Sequence, residues 1–206
     1  QIERDALVAL YNSTDGANWT DNTGWMGEAG TECDWQGITC SNDSVTLIRF
    51  YNNALTGTIP AELSNLKSLT SLNLGDNSLT GTIPSELSNL KSLTYLYLGL
   101  NSLTGTIPSE LGNLTKLTQL LLFSNSLTGT IPSELGNLTN LTRLYLNNNS
   151  LTGSIPSELG NLTKLATFSY TGNSITGSTP NGLGSEGPKI SAIERNALVA
   201  LYNSTD

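Results

Sequence analysis

Residues 69–92, LTSLNLGDNSLTGTIPSELSNLKS, contain the pattern that decides the fold. Similar segments recur every 24 residues, six times in all, and they begin at Val45, Leu69, Leu93, Leu117, Leu141 and Leu165. Each copy opens with leucines that alternate with variable residues, which predicts a short strand with one buried face. A repeat of this length indicates a solenoid, because each unit buries its apolar face only by stacking on its neighbours.

The alternation also predicts which way the side chains of each copy point. Leu72 and Leu74 are expected to face the interior, and the residues between them to face the concave side. Stacked strands of this kind form a parallel sheet with a spacing of about 4.8 Å. The TGTI segment at residues 80–83 alternates as a second short strand, with its threonines pointing outward.

The repeat is similar to a known family pattern. Each copy follows L-x-x-L-x-L-x-x-N-x-L and continues with L-T-G-x-I-P, which resembles the plant-type leucine-rich repeat. The resemblance implies an α/β solenoid, a horseshoe of six 24-residue coils with a parallel concave sheet and a helical N-terminal cap. It also implies that the asparagine of each copy, such as Asn77, bonds backbone groups of adjacent coils.

The N-terminal segment has the features of a cap. Residues 2–11 place Ala6, Leu7 and Leu10 on one face of a helix. The motif C-x-W-x-G-x-x-C, from Cys33 to Cys40, resembles the cap of receptor-kinase ectodomains and polygalacturonase-inhibiting proteins. In that family the two cysteines pair, whereas free thiols are the alternative. A disulfide indicates an oxidising compartment, so we expect a secreted or cell-surface protein.

Repeats and termini divide the chain into three parts. Residues 1–44 are predicted to form the cap, residues 45–188 the repeats, and residues 189–206 the start of a second similar module. This last interpretation rests on IERNALVALYNSTD at 193–206, which matches residues 2–15 in all but one position. The parent protein would then be a tandem array of neighbouring modules. Alternatively, the segment forms a helix that caps the last coil through Ala197, Leu198 and Leu201.

Composition excludes several functional classes. The formal net charge of −8 leaves no broad basic surface for nucleic acid, and no run of 18 apolar residues could insert into a membrane. The chain has no histidine and two cysteines, so neither a zinc site nor a histidine proton shuttle is expected. The sequence therefore predicts a binding protein without a cofactor or metal, and no enzyme.

Variable positions on the concave side provide the predicted ligand-binding surface. Its residues are Arg49, Tyr51, Tyr95, Tyr97, Leu100, Gln119, Leu121, Phe123, Arg143 and Tyr145. The apolar members are expected to form one contiguous exposed stripe, which is typical of an interaction site. We therefore predict a recognition or adhesion module for a protein, peptide or glycan. The alternative is cross-strand packing that only stabilises the sheet.

The outward threonines suggest a different function. They are predicted to form two regular columns along the solenoid: Thr56, Thr58, Thr80, Thr82, Thr104, Thr106, Thr128 and Thr130. Such columns resemble the ice-binding faces of some antifreeze proteins, so ice binding is the alternative hypothesis. Against it, threonine is also an ordinary residue at exposed strand positions.

Overall fold

The computed structural model describes residues 1–180 and residue 183. Its N-terminal segment, which is the predicted cap, contains one α-helix, two short 3-10 helices and the first two strands. Helix α1 (Ile2–Ser13) is followed by two short 3-10 helices, Gly16–Asn18 and Glu32–Asp34. Strands β1 (Ile38–Ser41) and β2 (Ser44–Arg49) then form an antiparallel hairpin. The hairpin joins the cap to the first repeat, because β2 is also the first strand of the parallel sheet.

The repeats supply the remaining strands and the convex helices. The strands are β3 (Thr56–Thr58), β4 (Ser71–Asn73), β5 (Ser78–Thr80), β6 (Tyr95–Tyr97), β7 (Gln119–Leu121), β8 (Arg143–Tyr145), β9 (Thr152–Ser154), β10 (Thr167–Ser169) and β11 (Ser174–Thr176). Short 3-10 helices lie on the opposite side of the coils: Ala61–Asn65, Ser85–Asn89, Ser109–Asn113, Ser133–Asn137 and Ser157–Asn161.

The main sheet has the strand order β1-β2-β4-β6-β7-β8-β10, and its strands from β2 onward are parallel. Leu72 pairs with Leu96, and Leu96 pairs with Leu120, so equivalent residues of successive repeats lie side by side. These leucines are completely buried in the interior. The predicted leucine-rich-repeat solenoid with a parallel sheet is therefore confirmed.

Asparagine side chains connect successive coils, as the family resemblance implied. The Asn101 Oδ1 atom accepts a hydrogen bond from the backbone N–H of Leu79, at 2.9 Å. Its Nδ2 group donates to the carbonyls of Leu74 and Leu98, at 3.0 and 3.1 Å. Leu79 and Leu74 belong to the preceding coil, so one side chain satisfies backbone groups in both coils.

Aromatic packing and a disulfide stabilise the N-terminal segment, the predicted cap. Trp19, Trp25 and Trp35 are all buried, and their ring centroids lie 4.8 Å apart for Trp19–Trp25 and 4.7 Å for Trp25–Trp35. The predicted disulfide between Cys33 and Cys40 is present. The predicted second module at 189–206 lies outside the described residues. Within the described ones, no helix is both long and apolar enough to traverse a bilayer.

An ion pair between Arg4 and Glu32 ties α1 to the cap loop. Burial alone would raise the pKa of Glu32, but hydrogen bonds from Arg4 and from the backbone lower this pKa overall. A lowered folded-state pKa contributes stability above pH 4.5, the ordinary value for glutamate, and that contribution is lost as the pH falls below it.

We therefore expect Glu32→Gln to lower the melting temperature slightly at neutral pH and to have little effect in acid. Calorimetry of the variant and the unaltered protein, at neutral pH and in acid, measures the difference in melting temperature. The matched control is Glu110→Gln, which changes an exposed convex carboxylate. An equal loss in Glu32→Gln at both pH values would contradict the role of the ion pair.

Candidate ligand-binding surface

Five apolar side chains of the concave face form one group, which we call the concave cluster: Tyr95, Tyr97, Leu121, Phe123 and Tyr145. The strand register places Tyr97 beside Leu121 and Leu121 beside Tyr145. The cluster is separate from the leucine interior, because residues on alternate sides of each strand face opposite sides of the sheet. The three central side chains therefore lie side by side, as the repeat predicts.

The rings of the concave cluster pack closely on one another and on the backbone. The Tyr97 and Phe123 rings stack with centroids 5.6 Å apart, and Phe123 contacts Tyr145 edge-on at 6.3 Å. The Tyr97 ring also lies over Gly75, where a Cβ atom would come within 2.6 Å of it. Because Gly75 and Gly99 have no side chains, the aromatic rings can occupy the space above them.

The predicted exposure of the stripe is wrong. Tyr97 is 2% exposed, Leu121 is 0% exposed and Tyr145 is 7% exposed. The Tyr97 ring stacks on the Phe123 ring and lies over Gly75, so part of its surface is covered by the neighbouring coils. These side chains lie along the sheet instead of projecting from it. The concave cluster is thus a packed floor, and it does not form the large exposed apolar patch that the sequence predicted.

The remaining predicted site residues surround this floor, and we call them the rim: Arg49, Tyr51, Leu100, Gln119 and Arg143. All five are half-buried. Tyr51 and Leu100 pack against the concave cluster, and the Tyr51 ring centroid lies 6.1 Å from that of Tyr97. Gln119 and Arg143 are paired neighbours at the start of adjacent strands. The rim therefore offers both apolar and polar contacts.

Several buried side-chain oxygen atoms on the concave face have no hydrogen-bond partner. Within the described part of the chain, no hydrogen bond reaches Ser71 Oγ, Gln119 Oε1, Asn147 Oδ1 or Ser169 Oγ. Ser71 lies beside Tyr95 and Ser169 beside Tyr145 in the strand register, so these atoms border the cluster. Buried polar atoms are normally paired, so four exceptions on one face need an explanation.

Ser71, Asn147 and Ser169 were not among the predicted site residues. Serine and asparagine at variable repeat positions are common surface residues, and nothing in the repeat marks their oxygen atoms as unpaired. The signal that could have identified them is position. Ser71, like Tyr95, occupies an outward position of its strand, and Ser169 occupies the position of Tyr97 and Tyr145.

The threonine rows lie on the flank of the solenoid and are exposed, as predicted. Their register between neighbouring coils differs from the 24-residue repeat. Thr58 pairs with Thr80 and Thr106 with Thr128, an offset of 22 residues in each case, so the rows run obliquely across the coils. The Thr80 hydroxyl also donates to the Gly57 carbonyl at 3.1 Å, so it already has a partner within the protein.

Comparisons with known proteins show which family shares this architecture. A family model described as "Leucine-rich repeat region" matches residues 48–192. A search of curated proteins finds no match. Among solved structures, a chain of the BIR3–SERK2 complex from Arabidopsis thaliana is 33% identical to this chain, with a TM-score of 0.71. The match covers 87% of this chain and 98% of that one. The BIR2 ectodomain from the same organism is 31% identical, with a TM-score of 0.76, covering 89% and 97%.

A third similar structure contains a peptide. The Arabidopsis receptor kinase HAESA ectodomain, in complex with an IDA peptide hormone ligand, is 34% identical with a TM-score of 0.63, covering 88% of this chain and 34% of that one. Together with the Cys33–Cys40 disulfide, these ectodomain neighbours support the predicted secreted or cell-surface location. The matched family model spans most of the chain and agrees with its stacked 24-residue coils, so the chain belongs to the leucine-rich-repeat family.

Proposed function

We propose that this protein binds an extended peptide, or an extended segment of a protein, across its concave face. The observation that carries the proposal is the group of buried, unpaired oxygen atoms bordering the concave cluster. Leaving a buried polar group without a partner costs about 1–3 kcal/mol. A ligand that supplies N–H groups would recover that free energy if the side chains that cover these oxygen atoms moved aside on binding, and an apolar ligand could not recover it.

The spacing of these atoms suits a short peptide. Ser71 lies on β4 and Ser169 on β10, with three strands between them in the sheet. Four strand spacings of about 4.8 Å correspond to about 19 Å, which about six extended residues span at roughly 3.3 Å each. The peptide would cross the strands, with its backbone near the oxygen atoms and its side chains against the rim.

The charge of Arg143 indicates which kind of peptide the concave face would prefer. Arg143 is half-buried at the edge of the concave cluster, and within the described residues no carboxylate lies within ion-pair distance of it. Hydrogen bonds between a guanidinium and a carboxylate are stronger than neutral ones. We therefore infer that the preferred peptide carries an acidic group near Arg143 and an apolar side chain near Leu100.

The comparisons support a binding function of this general kind. The HAESA ectodomain is solved with a peptide hormone ligand, and the BIR3 structure is a complex with SERK2. Catalysis has no part in the proposal. A glycan remains the competing ligand class, because aromatic and amide side chains also contact sugars.

The test is a selection of binders from a random-peptide display library, followed by affinity measurements on two matched double variants. We expect the double variant Gln119→Ala/Arg143→Ala to bind the selected peptides at least about tenfold more weakly than the unaltered protein does. The reason is that the two side chains together supply polar contacts worth more than about 1.4 kcal/mol. The control, Thr82→Ala with Thr106→Ala on the exposed flank, should leave the affinity unchanged. Equal affinities for both variants, or binders found only on glycan arrays, would refute the proposal.

We also propose that residues 189–206 begin a second module of a tandem array. The support is the near-identity of residues 193–206 with residues 2–15. An array would raise avidity for a repeated ligand without new contacts in each module. The ice-binding alternative stays a prediction, for which thermal hysteresis is the measurement. The oblique threonine rows do not favour it.

A further inference from the structure

A row of residues with positive φ angles borders the concave cluster, one residue in each coil and three positions after its concave strand ends. We call it the turn row, and its members are Asn52, Asp76, Leu100, Ser124 and Asn148, with φ angles between 50° and 58°. Asparagine, aspartate and glycine adopt this left-handed region most readily, whereas it is unfavourable for a leucine. The backbone therefore does not explain why Leu100 is a leucine.

Stacking of the coils fixes the backbone of the turn row. The Asp76 N–H donates to the Gly99 carbonyl at 3.0 Å, and the Leu100 N–H donates to the Phe123 carbonyl at 2.9 Å. The Leu100 carbonyl in turn accepts a hydrogen bond from the Asn77 N–H at 3.0 Å. These bonds join backbone groups only, so the fold holds the same conformation with aspartate in one coil and leucine in the next.

The side chains of Asp76 and Leu100 remain available to a ligand. Both are half-buried, and Leu100 packs against the concave cluster. Within residues 1–180, no lysine or arginine lies within ion-pair distance of the Asp76 carboxylate. Residues held in unfavourable backbone conformations cluster at ligand sites, because function and not stability selects their side chains. A half-exposed leucine with a φ of 58° fits that description.

We propose that Asp76 and Leu100 form one subsite, which takes a basic residue two positions from an apolar residue of the bound peptide. The subsite rests on the proposed peptide-binding function, to which it adds the basic residue. Adjacent coils lie about 4.8 Å apart, and side chains on one face of an extended peptide recur at about 6.6 Å. The long, flexible side chain of lysine or arginine can bridge this difference.

Charge complementarity supports a basic residue at this position. Asp76 is half-buried, so solvent and salt screen its charge less than that of an exposed carboxylate. A charge-assisted hydrogen bond from an ammonium or guanidinium group would satisfy it, whereas an acidic ligand residue would be repelled. Arg143 lies three coils further on, about 14 Å away across the sheet. The opposite charges of Asp76 and Arg143 would thus favour a peptide with a basic and an acidic end.

The experiment repeats the random-peptide display selection with the unaltered protein, with Asp76→Lys and with Asp76→Asn. The unaltered protein should enrich peptides with lysine or arginine two positions from an apolar residue, and Asp76→Lys should enrich aspartate or glutamate there instead. Asp76→Asn should bind the peptides selected by the unaltered protein about fivefold more weakly. The control, Glu110→Lys, makes the same charge change on the convex side and should select the same peptides as the unaltered protein.

The outcomes separate the subsite from the proposed function. Peptides that bind the concave face without an enriched basic residue, or the same basic residue enriched by Asp76→Lys, would overturn the subsite and leave the function standing. If the unaltered protein selects no peptide, both fail. Should Asp76→Lys not fold, Asp76→Asn decides, since asparagine suits the positive φ angle; undiminished affinity in that variant would overturn the subsite.

Leu100 is tested by a pair of variants that differ in backbone preference. Leu100→Asn and Leu100→Ala both remove the apolar contact, so both should bind the selected peptides about fivefold more weakly. Asparagine adopts the positive φ angle more readily, so Leu100→Asn should melt about 2 °C above Leu100→Ala. Full affinity in the folded Leu100→Asn protein would overturn the role of Leu100 in the subsite.

Discussion

Replacing Leu120 with alanine is expected to lower the free energy of unfolding by about 3 kcal/mol, because it opens a cavity in the leucine interior. Leu120 is completely buried, and its strand neighbours Leu96 and Leu144 are equally buried on the same face of the sheet. A solenoid coil is supported only by its two neighbours, so the loss affects contacts with both. Urea unfolding followed by circular dichroism measures the change.

The control is the same substitution at Leu100. That side chain is half-buried on the rim of the concave face, so Leu100→Ala should cost about 1 kcal/mol or less. If the two variants lost equal stability, the distinction between a leucine interior and a concave rim would be wrong.

Replacing Asn101 with alanine should cost about 3 kcal/mol, although the residue is polar. The substitution leaves the Leu79 N–H without its acceptor and removes the donor that serves the carbonyls of Leu74 and Leu98. Each buried group left unpaired costs about 1–3 kcal/mol. The loss should appear as a lower urea midpoint with the folded spectrum retained.

Asn113 provides the matched control for this prediction. It is an exposed asparagine in the same repeat, at the end of a convex 3-10 helix. Asn113→Ala should change the free energy of unfolding by less than about 0.5 kcal/mol, as surface substitutions usually do. A similar loss in both variants would mean that the asparagine row does not connect the coils.

The repeat predicted most of the fold because its signals act within one unit. Alternating leucines decide which face of each strand is buried, and Leu120 lies in the interior as its position requires. The asparagine and the cap cysteines were assigned by resemblance, and the structure shows both roles. Such features need only the correct stacking of identical units.

The concave cluster was harder to predict because its packing depends on residues one repeat away. Tyr97 lies over Gly75, and the Tyr97 and Phe123 rings stack between adjacent coils. Alternation gives the direction of a side chain and not its rotamer, so these rings were predicted to be exposed to solvent. The same limit explains why the unpaired oxygen of Asn147 was not foreseen.

The threonine rows show a second limit. A 24-residue repeat suggests straight columns, but the small flank sheets pair residues 22 positions apart. The concave sheet keeps the 24-residue offset, as in the pairing of Leu72 with Leu96. Sequence periodicity gives the average offset between coils, and the local register on each face depends on how the backbone curves.

Photo-crosslinking can locate the bound ligand, which we place on the concave face. A library-selected peptide with a photoreactive group at its centre would be irradiated with the full protein, and the adducts located by mass spectrometry. We predict adducts at rim positions such as Leu100, Gln119 and Arg143. Adducts confined to the threonine flank, at Thr82 or Thr106, or to the convex side, at Glu110, would show that the peptide does not bind on the concave face.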